Sequence, residues 1–267
     1  MPKIEVNDIH IYYELHGPEA ADVLVLSNGI MMGTASWLYQ TPVLSQHFRV
    51  LLYDCRGMWQ SDHPAGPYSM EQHADDLAAL LDALGIERAH IAGISYGSEV
   101  SMVFALQYPQ KTKTLMLIDG VSEVSPYLYD QTLPWLLSAE RGDAEMLLRT
   151  SVPLNYSQAY ITANQVQLDA AVSRFAKLDM PALVELIKAF QKLNITAQLH
   201  QIQCPVLIVY GQEDLIKGQD PALVMAKEIK QAELVCVPGA GHALCLEKPN
   251  ELNTILLGFA AKNKMVK

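Results

Sequence analysis

Three residues in this chain could together carry nucleophilic chemistry: Ser95, His242 and Asp214. Ser95 sits in "HIAGISYGSEV" (90–100), where an apolar β-type run meets a helix-compatible one. A serine hydroxyl is a poor nucleophile until a base takes its proton. Gly93 and Gly97 flank it, and side chains there would collide with the neighbouring strand or helix around a strained serine. The helix after Ser95 aims its N-terminus at the reacting centre and leaves the Tyr96 N–H free for a developing oxyanion. The base is His242, in the glycine-rich segment Gly239-Ala240-Gly241-His242. Asp214, in Gly211-Gln212-Glu213-Asp214, is the acid that would fix the imidazole tautomer and stabilise the imidazolium.

Other groups compete for these roles. Asp119 ends an apolar run and is an alternative acid, though Asp214 has the better context. Cys245 lies three residues past His242 but has no strained turn and no base of its own, so it reads as packing. The remaining histidines, at 10, 16, 47, 63, 73, 90 and 200, lack the flanking pattern of His242. No two show the H-x-x-x-H spacing of a metal site, so no metal is expected; nor does nucleophilic chemistry at a serine call for a cofactor. Glu213, Asp62, Asp75 and Asp76 read as solvated acids.

These side chains need a scaffold that brings strand ends together. Segments 4–6 and 9–14 flank Asn7-Asp8 and read as a hairpin. Short apolar runs at 23–27, 49–53, 90–92, 114–118, 206–210 and 234–237 suit strands buried on both faces of a parallel sheet. Between them, 71–84 places Ala74, Leu77, Leu80, Leu81 and Leu84 on one helical stripe, ended by Gly85. Segments 221–230 and 249–260 are helical with proline near the start. From 121 to 203 no convincing strand appears. Prolines at 126, 134, 153 and 181 divide this aromatic-rich stretch into several helices. A helical insertion of that length between two strands reads as a lid over the site.

The order Ser95, Asp214, His242 is that of the α/β-hydrolase triad. The chain resembles α/β-hydrolase fold enzymes over nearly its whole length. "LLYDCRGMWQSDHP" resembles the family's Y-D-x-R-G-x-G-x-S loop, and "CPVLIVYGQEDLI" and "PGAGHALCLEKP" resemble its acid and histidine segments. The resemblance implies an α/β fold: a mostly parallel eight-stranded sheet flanked by helices, with a helical lid after the sixth strand. It places one domain over 1–267 and the lid over 122–203. It also implies a second oxyanion donor after the third strand, in "LSNGIMMGTASW". There the usual His-Gly is Asn28-Gly29, and the donor is the Ile30 N–H. Trp37 stands where relatives often carry tryptophan, and Trp59 replaces a usual glycine. With Met31 and Met32, these tryptophans form an expected apolar substrate wall, although packing against the lid is an equal reading for Trp59.

The activity so implied is hydrolysis of a small or medium apolar carboxylic ester, lactone or thioester through an acyl-enzyme. "LVLSNGIMMGTASW" is similar both to 3-oxoadipate enol-lactonase-like enzymes and to the hydroxyacyl-joining acyltransferase of rhamnolipid synthesis. Acyl transfer to an alcohol is therefore an alternative, beside C–C bond hydrolysis by the same triad and a triad-bearing ligand sensor.

Composition bounds the partners. Of 267 residues, half are hydrophobic, and 19 Lys and Arg against 29 Asp and Glu give a net charge of −10. That balance opposes a polyanion partner such as nucleic acid. The N-terminus lacks a basic region followed by an apolar core, and no apolar run nears the roughly 18 residues of a membrane helix. Four cysteines without a Cys-x-x-Cys pair read as free thiols in a cytoplasmic protein. The expected partner is a small-molecule acyl substrate, the expected assembly a monomer or homodimer.

Overall fold

The computed structural model describes residues 2–264. Eight strands form one sheet: β1 (Lys3–Val6), β2 (Ile9–His16), β3 (Val23–Ser27), β4 (Arg49–Tyr53), β5 (Ala89–Ile94), β6 (Thr112–Ile118), β7 (Val206–Gly211) and β8 (Glu233–Val237). Their spatial order is β1-β2-β4-β3-β5-β6-β7-β8. β2 pairs antiparallel with β1 and with β4; every other pairing is parallel. This is the expected mostly parallel sheet.

Burial explains the strand compositions. Every residue of β3, β5 and β7 is buried, because helices cover both faces. Side chains alternate between two apolar clusters: Val25 joins one face, Leu24 and Leu26 the other. β8 departs from the expected two-sided burial. It is an edge strand: Val235 and Val237 pack with Leu256 and Phe259 of the helix Pro249–Lys264, while Leu234 and Cys236 are exposed.

The helix Met70–Ala83 buries Ala74, Leu77, Leu80 and Leu81 of the expected stripe, while Leu84, its C-cap, is half-buried. Ser69 Oγ accepts the Gln72 N–H at its start. At its end Gly85 turns left-handed (φ 67°), letting the Ile86 N–H reach the Leu81 carbonyl.

Between β6 and β7 the chain builds the helices Pro126–Glu140, Ala144–Asn155, Gln158–Ala163, Gln165–Ala170, Val172–Phe175 and Met180–Gln191. A backbone bridge from Glu123 to Asn194 closes the neck of this insertion. Pro126 and Pro181 start helices, but Pro134 and Pro153 do not separate them as expected; both lie inside helices. Around Pro134, tertiary packing of Leu128, Trp135 and Leu136 outweighs the local penalty. The insertion is continuous with the main core, since Leu183, Leu186 and Ile187 share one cluster with Tyr96 and Val100.

Candidate active site

The parallel strands end on one edge of the sheet, and the chemistry-bearing residues follow those ends: Asn28 to Met32 after β3, Ser95 after β5, Asp119 after β6, Asp214 after β7 and His242 after β8. Ser95 occupies a strained backbone position (φ 54°, ψ −121°) between β5 and the helix Tyr96–Gln107. Both flanking glycines are sterically required. A Cβ on Gly93 would stand 2.1 Å from the Gly97 carbonyl oxygen, and one on Gly97 would stand 2.1 Å from that of Ser27.

His242 and Asp214 are joined by a 2.8 Å hydrogen bond between Nδ1 and Oδ2. Asp214 Oδ1 accepts the N–H groups of Ile216 and Lys217 at 2.8 and 2.9 Å. Burial raises the pKa of this carboxyl, but His242 and these donors win and hold it below the usual range. Asp119 behaves oppositely. Burial, then the charge of Asp214, pushes it well above the carboxylate range, and its Oδ1 accepts the Gly211 N–H at 2.8 Å. The imidazole is thus hydrogen-bonded to Asp214 and not to Asp119. Asp119, Asp214 and His242 are also the one group among the described residues whose ligand atoms could share a metal ion, all lying within 4.8 Å.

Ser95 Oγ does not pair with His242 here. It takes a hydrogen bond from Lys217 Nζ at 3.3 Å, while His242 lines the same cavity. Lys217 is itself paired with Glu99 at 2.8 Å, and both side chains are buried. Sequence reasoning missed this pair. Glu99 is one helical turn past Ser95 and Lys217 three residues past Asp214, but nothing in either segment says that they meet.

Tyr96 is the first residue of its helix, so its N–H is one of those a helix leaves without an internal partner. Its ring is fixed by a 2.8 Å hydrogen bond between its hydroxyl and Nε2 of His73, whose pKa burial lowers to about 3. Ile30 sits in the turn closed by the Met32 N–H on the Gly29 carbonyl. Asn28 anchors this loop. Its Nδ2 donates to the Tyr53 carbonyl and to Asp54, and its Oδ1 accepts the Trp37 indole N–H at 2.8 Å.

Of the expected apolar wall, Met31 and Met32 line the cavity beside Ser95. Trp59 lies in an adjoining recess with Met31. Its φ of 41° accounts for the usual glycine there; its indole donates to the Met31 carbonyl, and the Arg174 guanidinium stands 5.1 Å from the ring. Trp37 must be removed from the substrate wall. It is wholly buried in the opposite cluster, where its indole serves Asn28. Asp76 is not solvated either: it is buried against Arg56, with contacts of 2.7 and 3.0 Å. Cys245 is buried and its thiol is pushed up to about 12 by burial, which keeps it out of the reactive thiolate form.

A mostly parallel sheet carrying serine, acid and histidine after β5, β7 and β8 defines an α/β hydrolase. The chain belongs to that family: residues 22–249 match the model described as alpha/beta hydrolase fold. It is similar to a protein of Stutzerimonas stutzeri (strain A1501) named "Putative carbamate hydrolase RutD", with 33% identity over 94% of this chain and 97% of the relative. Among solved structures it is similar to MGS-M2, an α/β hydrolase enzyme from a Medee basin deep-sea metagenome library, with a TM-score of 0.93, 29% identity and 97% of each chain covered. It is also similar to the enol-lactonase from Burkholderia xenovorans LB400, with a TM-score of 0.91, 25% identity, and 97% of this chain and all of that one covered. The protein is a hydrolase enzyme. No helix among the described residues is long and apolar enough to cross a membrane.

Proposed function

We propose that the protein is a serine hydrolase acting on a small or medium apolar carboxylic ester, lactone or thioester through an acyl-enzyme. The observation that carries this reading is Ser95 on its strained turn, sharing a cavity with a histidine already held by Asp214. In the reaction Oγ turns from Lys217 to His242 Nε2 and gives up its proton; contacts of this kind are often long before substrate binds. Oγ attacks the acyl carbonyl, and the N–H groups of Ile30 and Tyr96 receive the oxyanion. Asp214 stabilises the imidazolium, which then protonates the leaving group. Water, deprotonated by His242, releases the acid. The relatives' names support an acyl carbonyl as the point of attack, because a carbamate and an enol lactone both contain one. Met31, Met32 and Phe175 make the cavity wall largely apolar, with Arg174 and Asn155 its polar members beside the triad, and the net charge of −10 favours a small molecule over a nucleic acid.

The test is turnover of p-nitrophenyl esters from acetyl to decanoyl by wild type, Ser95→Ala and Cys245→Ala. Repeated turnover should fall at least about 10³-fold in Ser95→Ala and stay within about tenfold in Cys245→Ala. Full activity of Ser95→Ala would remove the serine mechanism.

A further inference from the structure

We propose that Lys217, held by Glu99, makes the acyl side of the cavity select acyl groups bearing a neutral oxygen near the reacting carbonyl, such as a hydroxy or oxo substituent, over plain alkyl groups. This deepens the acyl-enzyme reading and rests on it. Ser95 stands between two recesses. One contains His242, which must protonate the departing group, so the leaving group lies there. Ile30 lines both; the other recess, with room for about one water, adds Tyr96 and Lys217, so the first atoms of the acyl group and a small substituent on them lie there. Its walls include Trp135, Ile187 and Phe190, and its only charged member is Lys217.

A charge at that place needs an explanation. Lys217 is 3% exposed and Glu99 fully buried. A buried ion pair often returns no more stability than apolar side chains of the same size would. The hydrogen bonding of the pair is directed at the nucleophile. Glu99 spends one oxygen on the Val121 N–H at 3.0 Å and the other on Lys217. Lys217 has three N–H donors. One meets Glu99, the ammonium lies 4.3 Å from the centroid of the Phe190 ring, and one reaches Ser95 Oγ at 3.3 Å. That last contact is at the long end of hydrogen bonding and is vacated when Oγ turns to His242. The freed donor then faces the first carbons of the acyl group. A plain alkyl chain leaves it unpaired, whereas a hydroxyl or carbonyl oxygen satisfies it, and sites of this type reject the analogue that lacks the polar group. Glu99 sets the charge requirement. It already pairs with the ammonium, so a substrate carboxylate would add a second negative charge with no free cation to balance it, whereas a neutral oxygen brings no charge to repel.

The experiment compares kcat/KM for p-nitrophenyl butyrate, 3-hydroxybutyrate and hemisuccinate in wild type and in the double variant Lys217→Met, Glu99→Gln, which removes both charges together. Wild type should favour 3-hydroxybutyrate over butyrate by about tenfold or more, with no gain for hemisuccinate. The double variant should bring the hydroxybutyrate-to-butyrate ratio near one. Equal wild-type rates on those two esters, a preference that survives in the double variant, or a preference for hemisuccinate would each overturn the proposal while leaving the hydrolase reading in place. If the double variant does not fold, the wild-type ratios decide alone. Absence of Ser95-dependent turnover on all three esters overturns the acyl-enzyme reading and this proposal with it.

Discussion

At the scale of single residues, the two buried aspartates near His242 are shifted in opposite directions. Asp214 is depressed because, against the cost of burial, it is paired with the imidazole and two backbone N–H groups; Asp119 is raised by burial beside that charge. In the unfolded chain an aspartate loses its proton near pH 3.9. Above that pH the folded protein keeps the Asp119 proton longer than the unfolded chain does, so wild-type stability is drained as pH rises from about 4. Asp119→Asn does not titrate and keeps an oxygen for the Gly211 N–H. Its thermal midpoint relative to wild type should therefore increase as pH rises above about 4, with ester turnover within about tenfold of wild type. Asp214→Asn should instead cost about 10³- to 10⁴-fold in kcat, because the amide favours the wrong imidazole tautomer. Steady-state kinetics that placed the large loss in Asp119→Asn would exchange the two roles.

The elements impose a different kind of constraint, one of close approach. The helix Tyr96–Gln107 crosses the end of β3 so closely that Gly97 has no room for a methyl group. Gly97→Ala must push backbone against backbone, and urea unfolding should show a loss of several kcal/mol or no soluble protein. Gly85 makes the opposite case. Nothing lies within 4 Å of a Cβ placed there, and only its φ of 67° objects. Gly85→Ala should cost about 1–2 kcal/mol in the same measurement. Equal losses in the two variants would mean that steric contact at Gly97 is not what requires glycine. The motif glycine and the helix-ending glycine look alike as letters, and only their neighbours distinguish them.

Over the whole molecule, the insertion between β6 and β7 is stitched to the histidine loop. Glu247 accepts the Gly241 N–H at 3.1 Å and the Ser157 hydroxyl at 2.5 Å, and the Ala243 N–H donates to the Asn155 carbonyl at 2.8 Å. Trp135 and Leu186 lie in the same apolar cluster as β5. An insertion so attached should open with the body of the protein, not before it. Hydrogen exchange under increasing urea should show the helices Pro126–Glu140 and Met180–Gln191 merging with β5 into one unfolding unit. A separate, lower-energy opening of those helices would make the insertion an independently moving cover.

The sequence by itself determined the class of fold and the residues with chemical capacity, because strand periodicity, chain order and the glycine-flanked serine are local patterns. Its strand and helix limits were read to within a few residues. Pro134 and Pro153 lie inside helices that local propensity would break, because packing decides whether a helix passes through them. The position of Trp37 is not legible in the sequence, because an aromatic near a motif can turn to either face of the sheet, and only the Asn28 contact settles which. The sequence context favours Asp214 over Asp119, and the folded structure joins Asp214 to the imidazole; the tertiary structure alone decided that Ser95 rests against Lys217, itself held by Glu99. Glu99 and Lys217 are 118 residues apart. Their meeting depends on where β5 and β7 end in a folded sheet, and no short-range pattern can encode that distance.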